Sequence, residues 1–299
     1  LGRSDIDAVV IASPDHWHAQ MAVDAAKAGK DIYCEKPLSS SVAEGRAMVN
    51  AARKYERVFQ TGSMQRSMER FRHAVELIRN GYIGDLTEIK VAIGSPYRAC
   101  DLPTQEAPDT IDWDTWVGPA QYRGYHTDLA CPLEDKRWGQ WREYFPFGGG
   151  MITDWGAHMF DIVQWALDQD HSGPTTFVPP AEHAQRGLRY TYPNGVSVIH
   201  TQWSDGNNEI QFNGTDGRIE VSRGYLRTYP NESLTETPLA DGDTQRVYHS
   251  ENHHLDWLQA IKTRTRPICD VEVGPRSASV CNIANIPYAF QRNLEWNPV

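Results

Sequence analysis

Residues 7–14 read DAVVIASP, a short and continuous apolar run that ends at a proline. A run of this kind is typical of a strand that is buried on both faces of a parallel sheet. Ala-rich helical sequence follows at residues 18–27, and a second apolar run, DIYC, occupies residues 31–34. The order strand, helix, strand predicts a βαβ unit, and we expect its first strand to be central in the sheet.

The alternation continues for one more helix and one more strand. Residues 41–54 are predicted to be helical, with Ser41 as the N-cap and Glu44 as its capping-box partner. Residues 58–62 are predicted to form the third strand. Ligands bind beyond the carboxyl ends of the strands in such sheets, so we expect the loops after the strands to hold the site. A doubly wound nucleotide-binding sheet has about six strands, so half of this domain is expected to be absent.

The pattern changes after the turn at residues 81–84. The next predicted strands are longer and alternate between apolar and polar residues, at 86–93, 188–192, 196–203, 209–213 and 218–222. Asn-Gly at 194–195 and the turn at 214–217 are predicted to close hairpins between them. We therefore predict an α/β chain. A partial, truncated Rossmann-type parallel sheet (residues 1–84) is followed by an α+β domain with a large, mostly antiparallel sheet (residues 85–299).

Composition narrows the class of protein. The formal net charge of −10 is spread along 299 residues without a dense Lys/Arg block, which argues against nucleic acid and anionic membrane surfaces as partners. No apolar run of about 18 residues is present, so no transmembrane helix is expected. The cysteines are scattered and form no Cys-x-x-Cys pair, which favours free thiols and leaves bacterial cytoplasm and periplasm both open: Cys34, Cys100, Cys131, Cys269 and Cys281.

Lys36 is the first candidate for chemistry. It follows the buried run at residues 31–34, so it is expected to project from the carboxyl end of a strand into a cleft. Desolvation there would lower the pKa of its ammonium group and suit it to acid/base catalysis. Taken alone, the tripeptide Glu35-Lys36-Pro37 is also compatible with a surface loop whose lysine points to water.

A second candidate lies in the glycine run and helix at residues 148–161, within helical sequence predicted for residues 153–167. Asp154 and His158 are four residues apart, so a helix places both on one face. A carboxylate beside an imidazole suits proton transfer to or from a hydroxyl. A capping Asp and a structural His remain the alternative.

His16 and His18 flank Trp17 in the loop after the first strand. Two histidines at this spacing are compatible with a divalent metal, but no matching ligand pair is evident elsewhere in the sequence. We therefore expect no metal site, and assign these residues to ligand contact or to structure.

The three motifs together resemble the Gfo/Idh/MocA oxidoreductases, which include glucose-fructose oxidoreductase and inositol dehydrogenases. The motifs are Ser-Pro-x-x-x-His at 13–18, Glu-Lys-Pro at 35–37 and Gly-Gly-x-x-x-Asp-x-x-x-His at 149–158, in that order. The resemblance covers nearly the whole chain. It implies a Rossmann-type domain followed by an α/β domain whose open sheet commonly forms the subunit interface, and hence a homo-oligomer. It also implies oxidation of a sugar or cyclitol hydroxyl with NAD or NADP.

The resemblance also implies roles for individual residues. Lys36 would be the catalytic lysine, His158 the acid/base and Asp154 its partner. The nicotinamide side would be lined by Ser13, Pro14, His18, Glu35, Lys36 and Pro37. Substrate contacts would come from His16, Trp17, Gln65, Arg66, Trp141 and Asp161.

The chain departs from the family pattern at the pyrophosphate site. The Gly-x-Gly-x-x-Gly turn that should precede the first strand is not in this sequence, nor is the acidic residue that binds the adenosine ribose. A fragment, an incompletely determined chain and a natural variant all remain open, and we favour a fragment because the sequence begins without Met. This chain is expected to bind NAD poorly, and both presence and absence of the cofactor remain open.

Two other functions remain open beside the oxidoreductase. One is a non-redox enzyme: some relatives cleave glycosidic bonds through transient oxidation and elimination with tightly held NAD, and a cofactor-free lyase would use Lys36 and His158 alone. A carbohydrate-binding protein with a degenerate site would stack sugars on the aromatic residues of the insertion at 96–147: Trp113, Trp116, Tyr122, Tyr125, Trp138 and Trp141. Aromatic density of this kind favours a sugar or cyclitol ligand in every case.

Overall fold

The computed structural model describes residues 1–132, 134–135, 137, 139–206 and 208–298. Its N-terminal unit is a three-stranded parallel sheet in the order β1-β2-β3. The strands and helices of this unit are β1 (Ala8–Ile11), α1 (His18–Lys27), β2 (Asp31–Cys34), α2 (Val42–Lys54) and β3 (Phe59–Thr61). The predicted βαβ alternation is confirmed, and the carboxyl ends of the three strands lie at one edge of the sheet.

The position of β1 differs from the prediction that it is central. All four residues of β2 are buried, whereas β1 pairs with β2 alone and Val10 is 63% exposed. Ile11 packs with α1 and α2 on one face of the sheet. On the other face, the cluster around Tyr33 does not reach Val10. An apolar run therefore identified the strand, but not the number of its neighbours.

The N-terminus of α2 is capped by local hydrogen bonds. The main-chain N–H of Glu44 donates to Ser41 Oγ at 3.2 Å, as the sequence predicts. The Glu44 carboxylate accepts from the main-chain N–H of Ser40 rather than that of Ser41. The two side chains thus pair with the main-chain N–H groups of Glu44 and Ser40, and the second donor lies one residue before the one expected in a capping box.

The second unit contains a mixed sheet of eight strands in the order β12-β11-β10-β4-β9-β8-β7-β13. Only β4 and β9 pair in parallel, so the prediction of a large, mostly antiparallel sheet is confirmed. The strands are β4 (Leu86–Ala92), β7 (Thr176–Val178), β8 (Arg189–Thr191), β9 (Ser197–His200), β10 (Glu209–Gly214), β11 (Arg218–Ser222), β12 (Leu226–Tyr229) and β13 (Leu294–Glu295). A separate two-stranded sheet pairs β5 (Arg98–Ala99) with β6 (Tyr144–Phe145).

Both predicted hairpins are present. The N–H of Tyr192 donates to the carbonyl of Val196 at 3.0 Å, and Gly195 has a φ of 87°, which an L-residue rarely adopts. The N–H of Gly214 donates to the carbonyl of Gly217 at 2.9 Å. These turns join β8 to β9 and β10 to β11.

The remaining helices cover the sheet and join the two units. They are α3 (Glu69–Arg79), α4 (Trp113–Val117), α5 (Gly150–Asp154), α6 (Gly156–Ala166), α7 (His253–Thr263) and α8 (Val273–Phe290). Every residue of α6 is buried, between α3 and α8 and beneath the large sheet. None of the helices in the described part of the chain combines the length and apolarity that crossing a bilayer requires.

The helix predicted for residues 153–167 is divided at Trp155 into α5 and α6. The N–H groups of His158 and Met159 both donate to the carbonyl of Trp155 at 3.0 Å, which tightens the first turn of α6. Gly156 at this point has low helix propensity. Asp154 therefore ends one helix and His158 lies in the first turn of the next.

The C-terminal helices return to the N-terminal sheet. α8 packs against α2 and α6, and α7 covers Tyr33 of β2. The N–H of Thr61 donates to the carbonyl of Cys269 at 2.8 Å. Because α8 contacts both units and α7 packs on the N-terminal sheet, the division at residue 84 stays a prediction.

Candidate active site

An ion pair joins the two units at the carboxyl edge of the N-terminal sheet. Lys36 Nζ, from the loop after β2, donates to Asp154 Oδ1 at 2.5 Å and to the Asp154 carbonyl at 3.1 Å. The side chains are 17% and 16% exposed, so the pair is shielded but not sealed from solvent. The fold thus brings together two predicted residues that are 118 positions apart.

His158 lies one helical turn beyond this pair and is 5% exposed. Its Nδ1 has no hydrogen-bond partner among the described residues, and the Trp155 ring lies with its centroid 5.6 Å from that of the imidazole. Burial, followed by the positive charges of Lys36 and Arg223, lowers the pKa of His158 well below its usual value. His158 is therefore a neutral imidazole near pH 7, able to accept a proton.

Gln65 and Arg223 hold the His158 turn in place. Gln65 Nε2 donates to the His158 carbonyl at 3.3 Å, and Gln65 Oε1 accepts from Arg223 Nε at 3.0 Å. The Arg223 guanidinium lies 4.6 Å from the centroid of the Trp155 ring. Gln65, predicted as a substrate contact, is fully buried and reaches the main chain of His158 instead. Arg223 was not identified from the sequence, where its only signal is its place just after a strand.

Arg66 and Asp161, predicted as substrate contacts, are not brought to this cleft. The Arg66 guanidinium donates two hydrogen bonds to Asp161, at 2.9 and 2.8 Å, and two to Asp170, at 2.7 Å each. Ser277 Oγ donates to Asp161 at 2.7 Å. Arg66 and Asp161 are 1% and 0% exposed, so this network lies inside the protein.

The loop after β1 contributes Ser13, Pro14 and His18. Ser13 and Pro14 are partly exposed at the sheet edge, as is Glu35 in the neighbouring loop. His18 is buried between the two loops, with Nδ1 2.9 Å from the Pro37 carbonyl and Nε2 3.0 Å from the Ser13 carbonyl. Burial lowers the pKa of His18 to about 4. His18 and the buried Pro37 therefore shape the edge that we predicted for the nicotinamide, and the partly exposed residues line it.

His16 and Trp17 contact the aromatic insertion instead of the Lys36 cleft. His16 Nε2 lies 2.9 Å from the Trp116 carbonyl, and Trp17 Nε1 donates to the same oxygen at 3.1 Å. Trp141 is 7% exposed and lies under the Arg142 guanidinium, 4.2 Å from its ring centroid. His16 and Trp17 thus hold the insertion against the N-terminal unit, whereas Trp141 packs within the insertion itself.

The other aromatic residues of the insertion divide into packed and exposed side chains. Trp113 and Trp116 stack with ring centroids 4.8 Å apart, and Tyr125 packs edge-on against Trp113. Tyr122 is 64% exposed. Trp138, which was also considered for sugar stacking, lies outside the described residues.

Asp15 is a buried acid that the sequence did not single out. It is 8% exposed, so its carboxyl group lies almost wholly within the protein. Burial raises the pKa of Asp15 to about 8, while the nearby charge of Lys36 opposes that rise and the charge of Asp154 adds to it. Asp15 is thus a protonated acid near the ion pair at neutral pH, and its place in the 13–18 loop was its only sequence signal.

Two family models match the chain. Residues 1–63 match the Gfo/Idh/MocA model described as an oxidoreductase family, NAD-binding Rossmann fold. Residues 97–299 match the model described as an oxidoreductase family, C-terminal alpha/beta domain. The two matches fall on the parallel sheet and on the unit that contains Asp154 and His158.

Curated relatives carry oxidoreductase and hydratase names. The chain is 35% identical to an uncharacterized oxidoreductase of Streptococcus pneumoniae, over 84% of this chain and 63% of that protein. It is 30% identical to myo-inositol 2-dehydrogenase of Thermotoga maritima, over 97% and 78%. It is 32% identical to 2,7-anhydro-N-acetylneuraminate hydratase of Mediterraneibacter gnavus, over 83% and 61%. The chain therefore spans about 61–78% of the length of these relatives.

Among solved structures, levoglucosan dehydrogenase in complex with NADH aligns with a TM-score of 0.63 at 18% identity. The alignment covers 99% of this chain and 81% of that one. At this identity the likeness establishes the fold.

Proposed function

Because the chain belongs to the Gfo/Idh/MocA oxidoreductase family, we propose that it oxidises a CH–OH group of a sugar or cyclitol with NAD or NADP. The observation that carries this proposal is the 2.5 Å contact between Lys36 Nζ and Asp154 Oδ1, with the buried His158 one turn away. The name of the Thermotoga maritima relative, myo-inositol 2-dehydrogenase, supports the cyclitol or sugar class.

The groups at the carboxyl edge of the sheet fit the nicotinamide end of such a cofactor. The Lys36 ammonium has three N–H donors, of which two go to Asp154, so one remains for a ligand. The buried Nδ1 of His158 has no partner in the described chain, which is the mark of a group that awaits one. Ser13, Pro14 and Glu35 would hold the ring at this edge. When bound, the nicotinamide supplies the hydride acceptor.

The residues of the chain would handle the proton and the orientation of the substrate. His158, neutral because burial and two cations lower its pKa, accepts the proton of the substrate hydroxyl. The Lys36 ammonium donates a hydrogen bond to the same oxygen and stabilises its developing negative charge. Asp154 fixes the ammonium, and Gln65 fixes the turn that carries the imidazole.

The proposal is tested by reduction of NAD and NADP with a panel of neutral sugars and cyclitols that includes myo-inositol and levoglucosan. Both cofactors are supplied in large excess, because the Gly-x-Gly-x-x-Gly turn is not in this sequence and weak binding is expected. We expect turnover that Lys36→Met lowers by about 100-fold or more. Lys27→Met is the matched control, because Lys27 also pairs with an aspartate but is 55% exposed in α1. The proposal is wrong if no member of the panel reduces either cofactor, or if Lys36→Met and Lys27→Met turn over alike.

A net non-redox reaction is the second candidate. The hydratase of Mediterraneibacter gnavus, 32% identical over 83% of this chain, favours it. In this case a 2,7-anhydro sugar acid would be converted without net reduction of NAD, so product appears by NMR while absorbance at the NADH wavelength stays constant. Turnover that requires Lys36 and His158 but leaves the cofactor unchanged would select this candidate. A pure carbohydrate-binding protein would bind sugars without any turnover.

We also propose that the chain forms a homo-oligomer through the eight-stranded sheet. Ile89 and Val91 of β4 face the helices, whereas Glu88 and Lys90 point to the opposite, uncovered face. Light scattering of the purified chain should give a multiple of 33.8 kDa. Lys90→Glu should reduce that mass, whereas Lys27→Glu should not.

A further inference from the structure

A cavity of about 280 Å³ lies beside the Lys36–Asp154 pair; it is lined by Pro37 and Thr153, their neighbours in the chain, but not by His158. The loop after Pro37, the end of the insertion at residues 145–149, and α8 form its walls. Its volume is just below the range of about 300–1,000 Å³ that is usual for small-molecule sites, which suits a ligand of about one ring.

Polar groups without partners are concentrated around this cavity. Asp15, Ser39 and Asn285 are 8%, 3% and 6% exposed and all line it. Ser39 Oγ and Asn285 Oδ1 have no hydrogen-bond partner in the part of the chain that the structure describes. Roughly 90% of buried polar atoms in proteins are paired, so two unpaired ones at one cavity, together with the buried Asp15, point to a polar ligand.

The walls of the cavity are aromatic. The rings of Tyr97 and Phe145 lie with centroids 5.4 Å apart, and Phe145 is 51% exposed. Phe290, at the end of α8, is 66% exposed at the same cavity. Aromatic faces beside hydrogen-bonding groups suit a ring that has both C–H faces and hydroxyls.

The charges at the cavity favour a neutral ligand. None of the described residues that line it is Lys or Arg, so its wall supplies no cation to pair with an anionic ligand. Burial raises the pKa of Asp15 to about 8, so near pH 7 this side chain offers both an O–H donor and an acceptor. A sugar hydroxyl also both donates and accepts, whereas a carboxylate or a phosphate only accepts.

We propose that this cavity is a subsite for a neutral pyranose or cyclitol ring, which hydrogen-bonds to Asp15 and Asn285 and packs on Tyr97, Phe145 and Phe290. The subsite would hold a second ring of the substrate while Lys36 and His158 face the reacting hydroxyl. The substrate class rests on the proposed function, but the cavity and its unpaired groups are independent of it.

The test measures binding of D-glucose and D-glucuronate by saturation-transfer NMR and calorimetry. We expect Asp15→Leu to weaken glucose binding at least tenfold, because it removes donor and acceptor together. Asp15→Asn should bind within threefold of the parent, since an amide supplies both. Phe290→Ala should weaken binding severalfold, and glucuronate should bind more weakly than glucose. Matched controls are Asp24→Leu, at a partly exposed position of α1, and Tyr122→Ala, an exposed aromatic residue of the insertion.

The outcomes separate this inference from the proposed function. Glucose affinity that is unchanged in both Asp15→Leu and Phe290→Ala overturns the subsite, even if Lys36→Met abolishes turnover. A chain that never turns over, but loses glucose affinity in both variants, keeps the subsite and removes the oxidoreductase. Melting curves of each variant identify unfolding, and Phe290→Ala, at a largely exposed position, keeps the test decisive if Asp15→Leu does not fold.

Discussion

Two cation–aspartate pairs connect the loops of the N-terminal sheet to α5 and α6, and they differ in burial. Lys36 and Asp154 are 17% and 16% exposed. Arg66 and Asp161 are 1% and 0% exposed, with Asp170 and Ser277 completing their hydrogen bonds. The same pairing of charges is thus open to a ligand in one place and enclosed by protein in the other.

The difference teaches that residue type and position after a strand do not determine a role. Both Lys36 and Arg66 follow strands of the parallel sheet, and both were predicted to meet a ligand. Arg66 donates four hydrogen bonds to two carboxylates. Lys36 has one carboxylate partner and keeps one N–H donor for a ligand. A buried pair whose partners are all protein groups orders the fold, and an accessible pair with a spare donor is available for chemistry.

The largest expected effect is on stability, from the enclosed pair. Arg66→Met should lower the free energy of unfolding by about 3–5 kcal/mol, because it leaves Asp161 buried without its cation. Arg98→Met is the matched control, since Arg98 pairs with Glu143 at the surface and should change stability by less than about 1 kcal/mol. Urea denaturation of the three proteins measures both values. Equal effects of the two substitutions would contradict the comparison.

The next largest expected effect is on kcat, from a substitution beside the accessible Lys36–Asp154 pair. His158→Ala should lower kcat by about 100-fold or more, because it removes the proton acceptor. The low pKa of the parent imidazole means that it stays unprotonated as the pH falls, so oxidation should persist below pH 6.5. A pH profile of kcat/KM checks this, and a sharp loss of rate near pH 6.5 would be inconsistent with the buried imidazole described above.

Asp15 should produce a smaller effect that depends on pH. Its folded-state pKa of about 8 lies above the usual value of 3.8, so its contribution to stability is full below about pH 4 and is lost as the pH rises through 8. Asp15→Asn removes this dependence and should raise the free energy of unfolding at pH 9 by about 1–3 kcal/mol relative to the parent. Denaturation at pH 5 and pH 9 measures it. A gain that is the same at both pH values would show that burial of the ionised acid is not the cause.

The smallest effect concerns the charge that Lys36 places near His158. Lys36→Met should raise the pKa of His158, because the Lys36 cation is the second cause of its depression after burial. NMR titration of the imidazole measures the shift. Lys27→Met, at an exposed position of α1, should leave the titration unchanged. An unchanged His158 pKa in Lys36→Met would show that the Lys36 ammonium does not act on the imidazole.

The sequence predicted the part of the site that depends on local order. Lys36 was found because a buried run ends just before it, and Asp154 with His158 because helical spacing places them on one side. The contact between Lys36 and Asp154, which are 118 positions apart, could be predicted only through the family resemblance. The hairpins followed from Asn-Gly and Gly-x-x-Gly turns, whose backbone needs are local.

Several strands and side-chain contacts that depend on tertiary structure could not be predicted from the sequence. β7 and β12, three and four residues long, were not predicted from the sequence. His16 and Trp141 have the residue types of a sugar site, yet packing of the insertion decides their contacts. Arg223 and Asp15 could be identified only from the structure, in which distant segments of the chain come together at the Lys36–Asp154 ion pair.

The most direct test of the central claim is a double-mutant cycle on kcat/KM with Lys36→Met, His158→Ala and the double variant. If the ammonium and the imidazole act on one hydroxyl, the double variant should be about as slow as the slower single variant, because groups that act as a unit are not additive. Losses that multiply, so that the double variant equals the product of the two single losses, would contradict a shared site.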